Sequence, residues 1–131
     1  MFVKEVMKKN IKTTSTKSTV SEAAKVMASH NIGCLIVVDE TLEGIITERD
    51  ILNKIVARDK DPKKVRISEI MTPNVITISP DRDMEEACDL MAKHKIKRLP
   101  VTLGDEVVGI ITSTDVVSIL SSVIREVYSQ S

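Results

Sequence analysis

Aromatic side chains are nearly missing from this chain of 131 residues, which has no Trp, one Phe and one Tyr. Both stand close to the ends, as Phe2 and Tyr128. The core must therefore be built from Ile, Val, Leu, Met and Ala, and the stacking platforms that hold single-stranded nucleic acids are absent. Excess charge of either sign is missing too. Lys plus Arg and Asp plus Glu both number 19, so no global field draws the protein to nucleic acid or an anionic membrane. No apolar run approaches a membrane span, and Met1-Phe2-Val3-Lys4-Glu5 lacks the hydrophobic stretch of a signal peptide, so a cytoplasmic protein is expected. Cys34 and Cys88, the only cysteines, lie too far apart for a zinc knuckle and are expected as reduced thiols. No Ser-His-Asp or Cys-His set, P-loop lysine or metal-ligand spacing is visible. Nothing argues for catalysis, and no metal or required cofactor is expected.

What the chain does have is repetition. Its 42% hydrophobic and 29% charged residues fit a globular fold rather than a disordered one. Lys4-Glu5-Val6-Met7 matches Ser68-Glu69-Ile70-Met71, and Ile11-Lys12-Thr13 matches Val75-Ile76-Thr77. Val20-Ser21-Glu22-Ala23-Ala24 matches Met84-Glu85-Glu86-Ala87-Cys88. After a slip of one residue near Gly104, Gly44-Ile45-Ile46-Thr47-Glu48-Arg49-Asp50 realigns with Gly109-Ile110-Ile111-Thr112-Ser113-Thr114-Asp115. The period is thus about half the chain.

Each half reads as β-α-β-β-α. A β-rich segment (11–14, 75–78) leads into a turn, then a helix opened by Thr19-x-x-Glu22 or Asp83-x-x-Glu86, both at capping-box spacing. Val20, Ala23, Ala24 and Met27, answered by Met84, Ala87, Cys88 and Met91, give that helix one apolar face, with Met as core filler. Strands follow at 34–38 with 42–46 and at 99–102 with 107–111, each pair joined by a tight polar connection into a hairpin. A second helix closes each half, and in the C-terminal half it is apolar on more than one face. Half-folds of about sixty residues are marginal alone, so they are expected to pack on each other as a pseudo-dimer. The expected layout is a first repeat at 3–58, a charged linker at 59–66 and a second repeat at 67–127.

The strand-to-helix junctions carry the chemistry. Helix N-termini leave N–H groups open to an anion. The acidic residue one turn in offers two acceptor oxygens to a hydroxyl pair such as that of ribose. The plainer alternative is that Thr47-x-x-Asp50 and Thr112-x-x-Asp115 are capping boxes that need no ligand.

The doubled Gly-Ile-Ile-Thr-x-x-Asp, with Ser68-Glu69-Ile70-Met71-Thr72-Pro73 and His94-x-x-x-Arg98-Leu99-Pro100-Val101, resembles a tandem pair of CBS (cystathionine β-synthase) domains, also called a Bateman module. The resemblance spans about residues 3–127 and implies an α/β (α+β) fold of two repeats about a pseudo-two-fold axis. It implies a non-catalytic regulatory module taking AMP, ADP, ATP or S-adenosylmethionine in clefts between the repeats. By position, Asp50 and Asp115 would hold ribose; Thr47, Thr112, Ser113 and Thr114 would hold phosphate; Thr13, Thr77, Ile36 and Pro100 would frame the base. It also implies homodimers through helices and a regulated protein partner.

The two repeats differ chemically. Lys97-Arg98-Leu99-Pro100 stands where the first repeat has Gly33-Cys34-Leu35-Ile36, and Arg98 offers phosphate a planar fork of donors. Glu48 stands where the second repeat has Ser113, its charge offset by neighbouring Arg49. Two other functions compete with nucleotide sensing: a structural dimerisation module with degenerate clefts, and a nucleic-acid binder using the basic run 93–98, which lacks aromatic support.

Overall fold

A computed structural model describes residues 1–130, a mixed α/β chain carrying the repeat twice. The order is α1 (Val3–Val6), β1 (Thr13–Thr14), α2 (Val20–His30), β2 (Cys34–Val38), β3 (Leu42–Thr47), α3 (Glu48–Lys54), a 3-10 turn (Val56–Arg58), α4 (Ile67–Ile70), β4 (Thr72–Pro73), α5 (Met84–His94), β5 (Arg98–Leu103), β6 (Glu106–Thr112) and α6 (Ser113–Ser129). Among the described residues no helix is long and apolar enough to cross a membrane.

The packing units are not the sequence repeats. One comprises Ile11–Val75; the other joins Met1–Asn10 to the chain from Ile76 onward. Each repeat's opening helix is therefore exchanged. In the first-repeat unit, Val20, Ala23 and Met27 of α2 pack on Leu35, Val37 and Ile46, and the core is completed by Ile67 and Ile70 of α4. In the second-repeat unit, Met84, Ala87 and Met91 of α5 pack on Leu99, Val101 and Ile111, and Val3 of α1 completes it. The methionines fill space, as expected.

Local chemistry explains the elements. The Thr19 side chain caps α2 by accepting from the Glu22 amide, and Asn31 ends the helix in the left-handed region at φ 52°. At α5 the expected Asp83 cap is not made: no side chain caps that helix, and the Asp83 carboxylate instead lies 3.8 Å from the Met1 amine. Lys95, at φ 54°, closes α5 as Asn31 closes α2. Gly104, at φ 61°, supplies the left-handed position of the β5–β6 turn.

In the first-repeat unit the sheet runs β1-β2-β3-β4, with β1 parallel to β2 and Thr13 opposite Ile36. The second-repeat unit keeps only the β5–β6 hairpin. The strand expected at 75–78 shrinks to a single bridge between Ile78 and Val101. The cause is Pro100. Ile36 donates its N–H to the Lys12 carbonyl at 3.3 Å, whereas Pro100, at the matching position, has no N–H to give Ile76.

A side-chain clamp ties the β2–β3 turn to the turn before α2. Asp39 accepts from the hydroxyls of Thr16 at 2.6 Å and Ser15 at 2.8 Å, and from the Thr16 amide at 3.2 Å. The Thr16 and then the Ser15 hydroxyl hold this carboxyl below its ordinary value of 3.8. A group whose pKa is lowered on folding stabilises above its unfolded pKa and ceases to as pH falls through its folded value. The melting-temperature gap between wild type and Asp39→Asn should therefore be open at pH 6 and close as pH drops below 3.8. A gap that stays constant down to pH 2 would contradict the clamp.

Candidate functional site

The two Thr-x-x-Asp junctions fold alike. Thr112 caps α6 and Thr47 caps α3, each in a closed capping box with its Asp. At α6 the Thr112 amide and hydroxyl donate to Asp115 Oδ2 at 2.9 and 3.0 Å, and the Asp115 amide donates back to the Thr112 hydroxyl at 3.3 Å. At α3 the matching distances to Asp50 Oδ2 and the Thr47 hydroxyl are 2.9, 3.1 and 3.2 Å. The first helical amides are also used: Ser113 donates to the Lys97 carbonyl at 2.9 Å, and Glu48 to the Gly33 carbonyl at 3.0 Å. Of the four amides a helix start leaves open, three are thus satisfied by the protein itself, and Thr114 and Arg49 keep the remaining ones.

This changes the electrostatics read from sequence. The junction is not a bare row of donors awaiting an anion, since the cap consumes most of them. What each box leaves outside the cap is the other carboxylate oxygen, on side chains that are largely buried. Asp50 Oδ1 lies 3.2 Å from Lys54 Nζ, and Asp115 Oδ1 lies 3.5 Å from Lys8 Nζ. Neither lysine stands out in the sequence. Lys54 was legible as an i,i+4 partner on the same helix; Lys8 comes from the exchanged N-terminal segment and was not.

Around each box the sheet brings most of the expected residues onto one face. Cross-strand partners project to the same side. In the first-repeat unit one row holds Thr13, Ile36, Ile45 and Thr72, and the next pairs Cys34 with Thr47. In the second-repeat unit one row holds Pro100, Ile110 and Lys8, and the next pairs Arg98 with Thr112. Within this unit Arg98 therefore lies on the face of Thr112, the capping partner of Asp115. Thr77, half-buried, precedes the Ile78 bridge that meets Val101. Ser113 is half-buried, and Thr114 and Arg49 are exposed at their helix starts. Two surface hollows within the units lie elsewhere: one of about 450 Å³ lined by Thr16, Lys17, Arg66 and Ser68, and one of about 310 Å³ along the acidic start of α5.

The comparisons with known proteins agree with this architecture. The family model "CBS domain" matches residues 3–57 and again 67–122. The CBS domain-containing protein YhcV of Bacillus subtilis is 36% identical over 114 residues, covering 86% of this chain and 81% of that protein. The CBS domain pair of protein MJ0100, solved in complex with 5′-methylthioadenosine and S-adenosyl-L-methionine, is 38% identical with a TM-score of 0.85, covering 93% of this chain and 97% of that one. A hexameric CBS-CP12 protein from bloom-forming cyanobacteria is 33% identical with a TM-score of 0.84, covering 89% of this chain and 66% of that one. With two matched repeats spanning most of its length and a shared fold, the chain belongs to the CBS domain family.

Proposed function

We propose that this protein is a non-catalytic regulatory module that binds adenosine-containing small molecules at its Thr-x-x-Asp junctions. The observation that carries the reading is the duplicated box in which one carboxylate oxygen is spent on the cap and the other meets only a lysine. A ribose hydroxyl can donate to that second oxygen while the lysine swings aside, because the Lys8 side chain is 64% exposed and bonded loosely. The base would lie along the row that holds Thr13 and Ile36 in one unit, and against Thr77 and Pro100 in the other. Adenosine compounds bound by the similar MJ0100 pair support the ligand class.

The same proposal includes self-association. On α6, Val117, Leu120, Val123, Ile124 and Val127 are each about half or more exposed, an apolar stripe at helical spacing that the unit's own core does not use. That the similar CBS-CP12 protein is hexameric supports self-association. A cytoplasmic home and a regulated partner protein complete the reading.

Isothermal titration of AMP, ATP, S-adenosylmethionine and 5′-methylthioadenosine tests it. At least one should bind below millimolar, and Asp115→Ala or Asp50→Ala should weaken that binding about hundredfold, the cost of losing hydrogen bonds to a charged acceptor. Silence from all four compounds at millimolar concentration would overturn the reading. The complete internal bonding of both boxes favours one rival, a structural module in which they only cap helices. That rival predicts that Asp115→Ala costs about 1–2 kcal/mol of stability while no nucleotide raises the melting temperature.

A further inference from the structure

We infer that the two junctions are specialised by charge, the Asp115 junction for a phosphate-bearing adenosine compound and the Asp50 junction for one without phosphate. This rests on the proposed adenosine binding and adds to it a division of ligands. The argument comes from residues at matching positions of the two sheets. Where the row beside Asp50 carries Thr72, the row beside Asp115 carries Lys8. Where Cys34 stands opposite Thr47, Arg98 stands opposite Thr112. The carbonyl that receives the first helical amide belongs to Gly33 in one unit and to Lys97 in the other. The first helical residue is Glu48 at α3 but Ser113 at α6. The first two differences put two cationic side chains, Lys8 and Arg98, on the Asp115 face where the Asp50 face carries the uncharged Thr72 and Cys34.

Two differences run the other way, and neither cancels the effect. Arg49 of α3 stands at the position that Thr114 holds in α6, yet Glu48 beside it offsets its charge. Lys54 has no cationic counterpart on α6, but it is already engaged by Asp50 at 3.2 Å and by the Ile70 carbonyl at 2.8 Å. A phosphate at Asp50 would have to break those contacts. Beside Asp115, Lys8 is held only by a loose 3.5 Å ion pair. Arg98, half-buried on the face of Thr112, adds the planar donor fork that suits a phosphoryl group. With Thr72, Cys34 and Ile36 along its rows, the Asp50 side suits a neutral 5′ substituent such as a thioether.

AMP and 5′-methylthioadenosine share a nucleoside and differ at the 5′ position, so they read the division directly by isothermal titration on the full chain. AMP affinity should fall about tenfold in Lys8→Met and again in Arg98→Met, should weaken with added salt, and should survive Asp50→Ala. Binding of 5′-methylthioadenosine should be indifferent to Lys8→Met, Arg98→Met and salt, and should be lost in Asp50→Ala. Melting curves of the two methionine variants, which keep the backbone bonds of Lys8 to Ile110, report whether the fold is intact. Competition of both compounds for one site, or loss of AMP in Asp50→Ala, would overturn the division while leaving adenosine binding in place. Silence from AMP and 5′-methylthioadenosine while ATP or S-adenosylmethionine still binds would overturn the division alone; silence from all four would overturn both readings together.

Discussion

Val3→Asp should cost about 4 kcal/mol or more and leave the second-repeat unit largely unfolded, although Val3 belongs to the first repeat in sequence. Val3 is fully buried among Ile78, Met84, Leu99, Val101 and Ile111. Its amide donates to the Arg82 carbonyl at 2.7 Å, that of Lys4 to Pro80 at 3.0 Å, and that of Met84 to Met1 at 2.9 Å. A carboxylate at this position has no cation within the cluster to pair with, so it must enter the apolar core unpaired or pull α1 out of it. The second outcome also removes Lys8 from Asp115, since α1 and Lys8 belong to one short segment. Val3→Ala, which loses only two methyl groups, should cost about 2 kcal/mol. Urea denaturation gives both numbers. A loss under 1 kcal/mol for Val3→Asp would show that α1 does not complete this core.

That exchanged helix also marks where sequence reading stops. The hairpins, the long helices α2 and α5 and both Thr-x-x-Asp boxes were legible because their causes are local. Strand alternation around Leu35 and Leu99, helical spacing at Val20-Ala23-Met27, and Thr three residues before Asp each declare themselves within a few residues. A four-residue helix such as α1 or α4 carries too little periodicity to announce what it packs on, and its partner lies in the other half of the sequence. The duplication was visible, but the way the units are built across it was not. Pro100 is an intermediate case: its missing N–H is written in the sequence, but its effect on the 75–78 strand shows only once that strand's partner is known. Asp83 fails as a cap for a similar reason, since its carboxylate meets the Met1 amine brought in by the exchanged segment. At the junctions the Thr-x-x-Asp boxes were legible, and the lysines beside them divide by origin: Lys54 is local, Lys8 is not.

The same exchange explains two glycines that no turn requires, and their substitution should produce the second large effect. Gly44 and Gly109 sit in β3 and β6 at matching positions, where the exchanged segments cross them. A Cβ on Gly44 would meet the Thr72 carbonyl oxygen at 2.7 Å and Met71 Sδ at 2.9 Å. On Gly109 it would meet Met7 Sδ at 2.7 Å and the Lys8 carbonyl oxygen at 3.0 Å. The nearest obstacle therefore differs in kind. A methionine sulfur can turn away about its flexible side chain, whereas the Thr72 oxygen is backbone and moves only if β4 moves. Gly44→Val should accordingly cost about 3 kcal/mol and Gly109→Val about 2 kcal/mol, both within the range of overpacked cores. Melting curves should rank them in that order. Hydrogen exchange should locate the first loss of protection at Met71 and Thr72 for Gly44→Val and at Met7 and Lys8 for Gly109→Val. If Gly109→Val also weakens AMP binding while Gly44→Val leaves it unchanged, displacement of Lys8 is the economical cause, because the backbone that carries that lysine is what the new side chain pushes. Equal stabilities, or protection lost elsewhere, would show that close approach of these segments is not what keeps both positions glycine.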